Sequence, residues 1–497
     1  MGGAAPRPHT PWQGLLGRQV SSPGHGRYHC LPMDRPCDPP IRPNGRDTTR
    51  PRVFWPLAAL VLVGAWAAMG WMGSVRTHPV EMVALFLVAC LSWALACRGV
   101  LSGTQRPPVP WILAIALLCR LAALPGEASD DMARYRWEGL VQLAGDDPYR
   151  QPPDDPSLIP LAAQFADHGD INHPDWPAIY PPGMQLWQRA VASISPTPLA
   201  FKLSFLLAEA LLFAALLAWL KHRSLPPERL LLFAWSPLSV YATALEGHHD
   251  VVAAAALVAC LLALETRRPT LAALWFCAAL LTKGFALAAL PALVLRGRAS
   301  LGQPEPSHGA VIPPRSWLAG LALIALVSAP FLAFVPNTGP LPSVLRFGSD
   351  LHYNDSVHDL IARVVGSDAS RPLAALAWIA GAAWVLRRSP PDTARRVALL
   401  LAGLLLVLPT MHPWYLMALL PLLCLFPWWG WLALGASVCL TWLPHLEISA
   451  TGRWVEWHEV KLPEYAPLFA WLAWRLFKAL RPTPTAPPQK RSLTQNP

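Results

Sequence analysis

VFWPLAALVLVGAWAAMGWMG, residues 53–73, runs for twenty-one residues without one Asp, Glu, Lys or Arg. A helix of that length reaches roughly 30 Å, the thickness of a bilayer's hydrocarbon core. An apolar run with no polar face has no solvated side, so it reads as a membrane crossing. The same texture recurs along the chain. Of 497 residues, 54% are hydrophobic and 14% charged, against about 25% charged in typical soluble domains. The 24 Trp and 55 Pro suit interfacial belts and broken helices. The chain reads as an all-α polytopic membrane protein, which excludes nucleic-acid-binding, secreted-disulfide and soluble-enzyme classes. A formal charge of +10 follows from basic cytoplasmic loops and needs no nucleic acid.

Further crossings are expected at 80–97, 109–124, 199–220, 230–245, 251–264, 317–335, 372–386, 397–408, 415–426, 428–443 and 467–480. Residues 1–52, rich in Pro, Gly and Arg, read as a disordered basic tail, 53–480 as the membrane domain and 481–497 as a second disordered tail. No signal peptide is expected ahead of the first crossing, and Met33 is an alternative start. Seven of nine cysteines sit in apolar runs as small hydrophobes, and Cys30 and Cys37 lack a zinc-site pattern.

Orientation follows from Lys and Arg in short loops. Arg42, Arg46, Arg50 and Arg52 put the first tail in the cytoplasm, and Arg98, Lys221, Arg267, Arg387 and Arg395 then fall on the same side. The run 271–295 resists a single crossing, because Arg267/Arg268 precede it and Arg296/Arg298 follow it. A re-entrant hairpin broken near Lys283-Gly284 removes the conflict, since broken helices are tolerated where they line a cavity. That gives about twelve crossings plus one re-entrant segment, with both termini cytoplasmic.

The unusual polar residues then collect on the outer side. The long loop 125–198, after the third crossing, carries eleven acidic residues and four Arg. It contains SDDMARYRWEG (129–139), GDDPY (145–149), INHPDW (171–176) and IYPPG (179–183). Outer segments further on carry EGHHD (246–250), HYNDSVHD (352–359) and MHPWY (411–415), and the hairpin brings Lys283 to the same side. Each has an ordinary alternative: Asp130 and Asp131 as a solvated helix end, His248, His249 and His412 as interface residues, Lys283 as a snorkelling side chain. Asp146 and Asp147, before Pro148, read as turn chemistry. What favours function is that all of them share one side, because ionisable groups at lipid depth cost a few kcal/mol.

In order and spacing these motifs, from about residue 109 to 426, resemble the bacterial polytopic glycosyltransferases of the GT-C fold, particularly the mannosyltransferase-like group that uses polyprenyl-phosphate sugars. Gly247-His248-His249-Asp250 resembles that group's Gly-His-Asn-Asp, with His249 in place of Asn. Glu138 stands for the more usual Asp. Thr282-Lys283, Tyr353-Asn354-Asp355 and His412-Pro413-Trp414-Tyr415 resemble its lysine, aromatic-Asn and His-Pro-Trp-Tyr elements. The resemblance implies a GT-C-like fold and inverting sugar transfer at the outer face, with a loop carboxylate as base and mannose as the expected sugar, while arabinose, glucose or another hexose fits the sequence equally well.

The chemistry of such a transfer dictates the residue types. A lipid phosphate leaves as a stable anion, so it needs cations or hydrogen-bond donors and no proton. The attacking hydroxyl must lose a proton, so it needs a placed carboxylate. Asp131 is assigned as general base, with Asp130 second or as a partner that orients acceptor or metal. Lys283, His248, Arg134 and Arg346 are candidates for the donor phosphate. Asn354, Asp250, His412, Trp414 and Tyr180 are expected to line the sugar pocket.

No cofactor is required; Mg²⁺ or Mn²⁺ on Asp130 and Asp131 stays open. The acceptor is a glycan, glycolipid or protein, the partners are the donor lipid and the bilayer, and the expected location is a bacterial inner membrane. A secondary transporter or flippase is the competing reading, which would need a matching broken helix in a second repeat.

Overall fold

The computed structural model describes residues 54–295, 309–332, 339–453 and 455–481. Both expected tails (1–52 and, beyond 481, the C-terminal residues), Cys30, Cys37, Met33 and the Arg296/Arg298 pair lie outside the described residues. Regular structure is helical. Among the described residues there is no named strand, only an isolated bridge between Tyr353 and Thr410.

Among the described residues, six helices are long and apolar enough to cross a membrane: Trp55–Met72, Pro79–Leu101, Pro198–His222, Pro314–Phe331, Ser367–Arg388 and Trp429–Thr451. Proline opens several of them, where its missing N–H costs nothing and its fixed φ suits the first turn. Each has two apolar faces. Leu62, Trp66, Phe86, Phe205 and Leu212 are buried inside the bundle, while Leu57, Leu60, Leu91, Leu207 and Leu211 point outward and exposed. An outward leucine stripe of this length belongs against lipid, as in a membrane-embedded protein.

The remaining expected crossings are shorter or broken. Val109–Ala123 and Asp250–Glu265 are single helices of 15 and 16 residues. Residues 230–245 divide into Leu231–Ala234, Pro237–Val240 and the π-helical Tyr241–Leu245. The expected 415–426 crossing is two 3₁₀ pieces, Pro413–Ala418 and Leu420–Cys424. Pro237, Pro413 and Pro421 account for these breaks, because an interior proline removes a donor and clashes with the preceding turn. The final helix, His458–Leu480, begins nine residues before the expected 467 and carries Lys461 and Glu464 into the bundle, both buried.

Contacts between chain ends define two poles. At one, Glu127 N–H donates to Gly73 O (2.7 Å), Ser129 N–H to Glu246 O (3.1 Å) and Met411 N–H to Tyr353 O (2.8 Å). At the other, Arg223 pairs with Glu265 and with Asp392. The segment after Pro269–Leu280 turns back at Lys283, whose backbone is extended, and returns through Gly284–Ala289 and Leu290–Val294. Val294 then borders the same cavity as Arg267 and Pro269. Both arms therefore end at the Arg223 pole, and Lys283 sits at the tip near the first pole.

Two close approaches fix this arrangement. A Cβ on Gly70 would lie 2.1 Å from Ala122 O, so only glycine lets the first and third helices meet there. A Cβ on Gly183 would lie 2.7 Å from Leu281 O, and Met184 N–H donates to that same oxygen (3.1 Å). The helix Pro182–Ile194 of the long loop is thereby clamped to the hairpin tip.

Midway down the bundle, Arg120 satisfies the break before Pro237. It donates to Ala234 O (2.6 Å) and Ser239 Oγ (2.9 Å) and forms a two-pronged pair with Glu209 at 2.9 and 2.7 Å. Removing one partner of a buried pair leaves a bare charge, at a cost of about 3–5 kcal/mol. Glu209→Ala is therefore expected to lower the melting temperature in detergent markedly, and Arg120→Met/Glu209→Leu to recover part of the loss. An unchanged melt for Glu209→Ala contradicts this.

Candidate functional site

The site is built on the first pole, from a helix start, a hairpin tip and a tight turn. SDDMARYRWEG folds as the start of the helix Asp130–Ala144, whose first turn accepts negative charge because its backbone N–H groups point there. Asp130 Oδ1 takes the Asp131 N–H at 3.1 Å and sits 3.3 Å from Arg76, half exposed. Asp131 faces inward instead. Its Oδ1 accepts from Asn172 Nδ2 (2.8 Å), and its Oδ2 accepts from the Tyr135 hydroxyl (3.3 Å). His248 Nδ1 lies 3.4 Å from the same Oδ2. The two carboxylates thus turn to different partners.

Burial alone would push the Asp131 carboxyl up. Hydrogen bonding by His248 and Asn172, with the charge of Lys283, outweighs it and holds the group well below the usual carboxylate range. Held low, the carboxyl has the form that accepting a proton requires.

Lys283 lies across a wedge of rings. Its ammonium is 3.0 Å from Asp250 Oδ2, 5.9 Å from the Tyr180 ring centre and 5.3 Å from that of Tyr415. His249 fills the space between, its ring 4.8 Å from Tyr135 and 4.7 Å from Tyr180. Burial, with the Lys283 charge second among the lowering causes, keeps His249 neutral, far below the usual histidine range. On the other flank His248 stacks on Trp414 at 3.5 Å, and Trp414 on His412 at 4.6 Å. Burial pushes His412 down to about 3. Both ring nitrogens of His249, and Asp250 Oδ1, are buried without a hydrogen-bond partner. Such groups are uncommon in folded proteins and here they cluster.

Of the expected site residues, Asp131, Asp130, Lys283, His248, Asp250, His412, Trp414 and Tyr180 come together. Three do not. Arg134, expected on the donor phosphate, is buried and fully used: it pairs with Glu138 (3.0 Å) and donates to the carbonyls of Asn172, His173, Trp176 and Pro177. It shapes the loop that presents Asn172. Arg346 is half exposed on the outlying helix Leu341–Asp350, paired with Asp175 and Asp350 and lying over Trp176. Asn354, expected to line a sugar pocket, donates to Glu464 (2.8 Å) and Met411 O (3.3 Å) within a neighbouring cluster. Asp147 caps the Tyr149 N–H (2.9 Å), the turn role expected of it.

Asn172, Tyr135, Tyr415, Arg76 and Glu246 also contact the clustered side chains, and the motifs did not single them out. Asn172 stands inside INHPDW and Glu246 opens EGHHD, so only their pairing with Asp131 and His248 was hidden. Burial, opposed by His248 and Arg76, raises Glu246 to about 7. Its folded value exceeds the usual 4.5, so the folded state binds the extra proton between the two. Its contribution to stability is complete below pH of about 4.5 and is lost as pH rises through about 7. The melting curve of Glu246→Gln should therefore gain on that of the parent as pH rises across this window; a pH-independent difference contradicts it.

Compared with protein-family models, curated proteins and solved structures, the chain matches none of them.

Proposed function

We propose that the chain is a membrane glycosyltransferase that moves a hexose, mannose on the motif resemblance, from a polyprenyl-phosphate donor to an envelope glycolipid, polysaccharide or protein. The observation that carries this reading is an ionised Asp131, held by Asn172 and Tyr135, within electrostatic reach of Lys283 across the ring wedge. A sugar–phosphate bond spanning that wedge would set its anomeric carbon near the carboxylate and its phosphate near the ammonium.

Asp131 takes the proton of the acceptor hydroxyl as the hydroxyl oxygen attacks the anomeric carbon, and the carbon–oxygen bond to the lipid phosphate breaks. The leaving phosphate carries the electron pair away, and Lys283 with His248 meets its charge. A bound phosphate also competes with Asp131 for Lys283 and His248, which relaxes the hold on the carboxylate and returns some of its basicity. The unpartnered His249 and Asp250 atoms suit sugar hydroxyls. Inversion at the anomeric carbon follows from a single displacement.

A lipid donor explains the location. The amphipathic helices Pro182–Ile194, Leu341–Asp350 and Val357–Val365 suit the headgroup layer, and the exposed leucine faces below suit the lipid tail. The basic loops support placing the Arg223 pole in the cytoplasm, with about twelve crossings, a GT-C-like arrangement and the site facing outward from a bacterial inner membrane.

A secondary transporter or flippase is the second reading, favoured by the broken segments at 230–245, 269–294 and 413–424. The arrangement of the hairpin argues against it, since its break lies at the loop pole and not midway.

The test is purified protein in liposomes containing polyprenyl-phosphate mannose and a glycolipid acceptor. Loss of the donor with formation of a glycosidic bond is expected, and Asp131→Asn should lower kcat by about 10²–10⁴-fold. Movement of the lipid without consumption would overturn the enzymatic reading, as would an Asp131→Asn variant of full activity.

A further inference from the structure

Beyond the His412 ring, on the far side of Tyr353, lies a second cluster. HYNDSVHD spaces His352, Asp355 and His358 three residues apart. Asn354 adopts a left-handed backbone, φ 49°, and Tyr353 is pinned on both sides, its N–H to Pro409 O and its carbonyl to Met411 N–H. The chain therefore folds all three side chains together. Asp355 Oδ2 is 3.0 Å from His352 Nε2 and 2.6 Å from His358 Nδ1. One ligand-capable atom from each residue falls within a sphere of mutual distances below 4.8 Å.

We propose that His352, Asp355 and His358 bind a zinc ion, which clamps the turn carrying Tyr353 against His412. Two imidazoles and one carboxylate form a borderline-soft donor set, suited to Zn²⁺ and unsuited to Mg²⁺ or Ca²⁺. His352 is about a third exposed and His358 and Asp355 are buried, so the fourth position faces water and gives the ion a way in.

The outer atoms are already supported in the way ligand residues need. Ser370 Oγ is 3.1 Å from His358 Nε2, and Glu456 Oε2 is 3.9 Å from His352 Nδ1. Lys461 Nζ holds Asp355 Oδ1 at 2.8 Å and leaves Oδ2 for the ion. Two carboxylates, Asp355 and Glu456, face the single Lys461 ammonium, a surplus of negative charge that favours a dication. A hydrogen-bonded knot with no metal is the competing outcome. The inference does not rest on sugar transfer. The Tyr353 ring lies 5.1 Å from the His412 ring, in line with Trp414 and His248, so the ion would steady that stack from behind.

The experiment uses the full chain in detergent, purified by a tag without histidine, stripped with a chelator, exposed to Zn²⁺ near neutral pH and desalted. Mass spectrometry of the metal is expected to find about one retained equivalent per chain, undiminished by excess Mg²⁺. His352→Asn and His358→Asn should lose it. Ser370→Ala, which keeps all three ligands, should bind about 10–100-fold more weakly, and it carries the test if a histidine variant fails to fold. No retained zinc in the parent protein overturns the proposal, as does retention unchanged in the histidine and Ser370 variants.

Discussion

The carboxylate of Asp131 and the ammonium of Lys283 attract each other across a wall of buried rings and are kept from meeting. Each is secured by its own partners, Asn172 and Tyr135 on one side, Asp250 on the other. Opposite charges in a poorly solvated space would collapse into a direct pair if the backbone allowed it. Tyr135, His249 and Tyr180 prevent that, and what results is a carboxylate on one side of the rings and a cation on the other.

Much of the architecture serves to hold the two groups apart. The long loop would be free to drift if Gly183 did not let its helix seat on Leu281 O, beside Lys283. Arg134 uses every donor it has to shape the stretch carrying Asn172. The tight EGHHD turn is bound to the loop through Ser129 N–H and Glu246 O. Deeper down, Arg120 and Glu209 stabilise the broken crossing that leads up to that turn. The functional groups thus sit on short, irregular pieces, but each piece is anchored to a long apolar helix.

The bundle was largely legible because apolar runs are long and charge-free, and the return at Lys283 followed from basic residues at both ends of one run. Element ends were less so. Proline converts 413–424 into 3₁₀ pieces that no hydropathy window separates from a helix, and the last helix reaches nine residues past its apolar stretch because Lys461 and Glu464 find buried partners. Eight of the expected site residues converge, since motif residues on one side of a small pole have little room to separate. Arg134 and Asn354 misled for one reason: a polar residue inside a motif serves the ligand or the backbone, and only partner geometry distinguishes the two. The HxxDxxH spacing of His352, Asp355 and His358 stood in plain view, yet spacing in an irregular stretch does not fix which way side chains turn.

The central claim is that base and cation have separate tasks, and equilibrium binding of polyprenyl-phosphate mannose separates them most directly. Asp131→Asn keeps the wedge and the ammonium, so it should bind the donor lipid about as tightly as the parent protein. Lys283→Met should weaken binding by about 10–100-fold, the worth of a charge-assisted hydrogen bond to phosphate. Donor affinity that collapses in Asp131→Asn and survives in Lys283→Met would contradict the account.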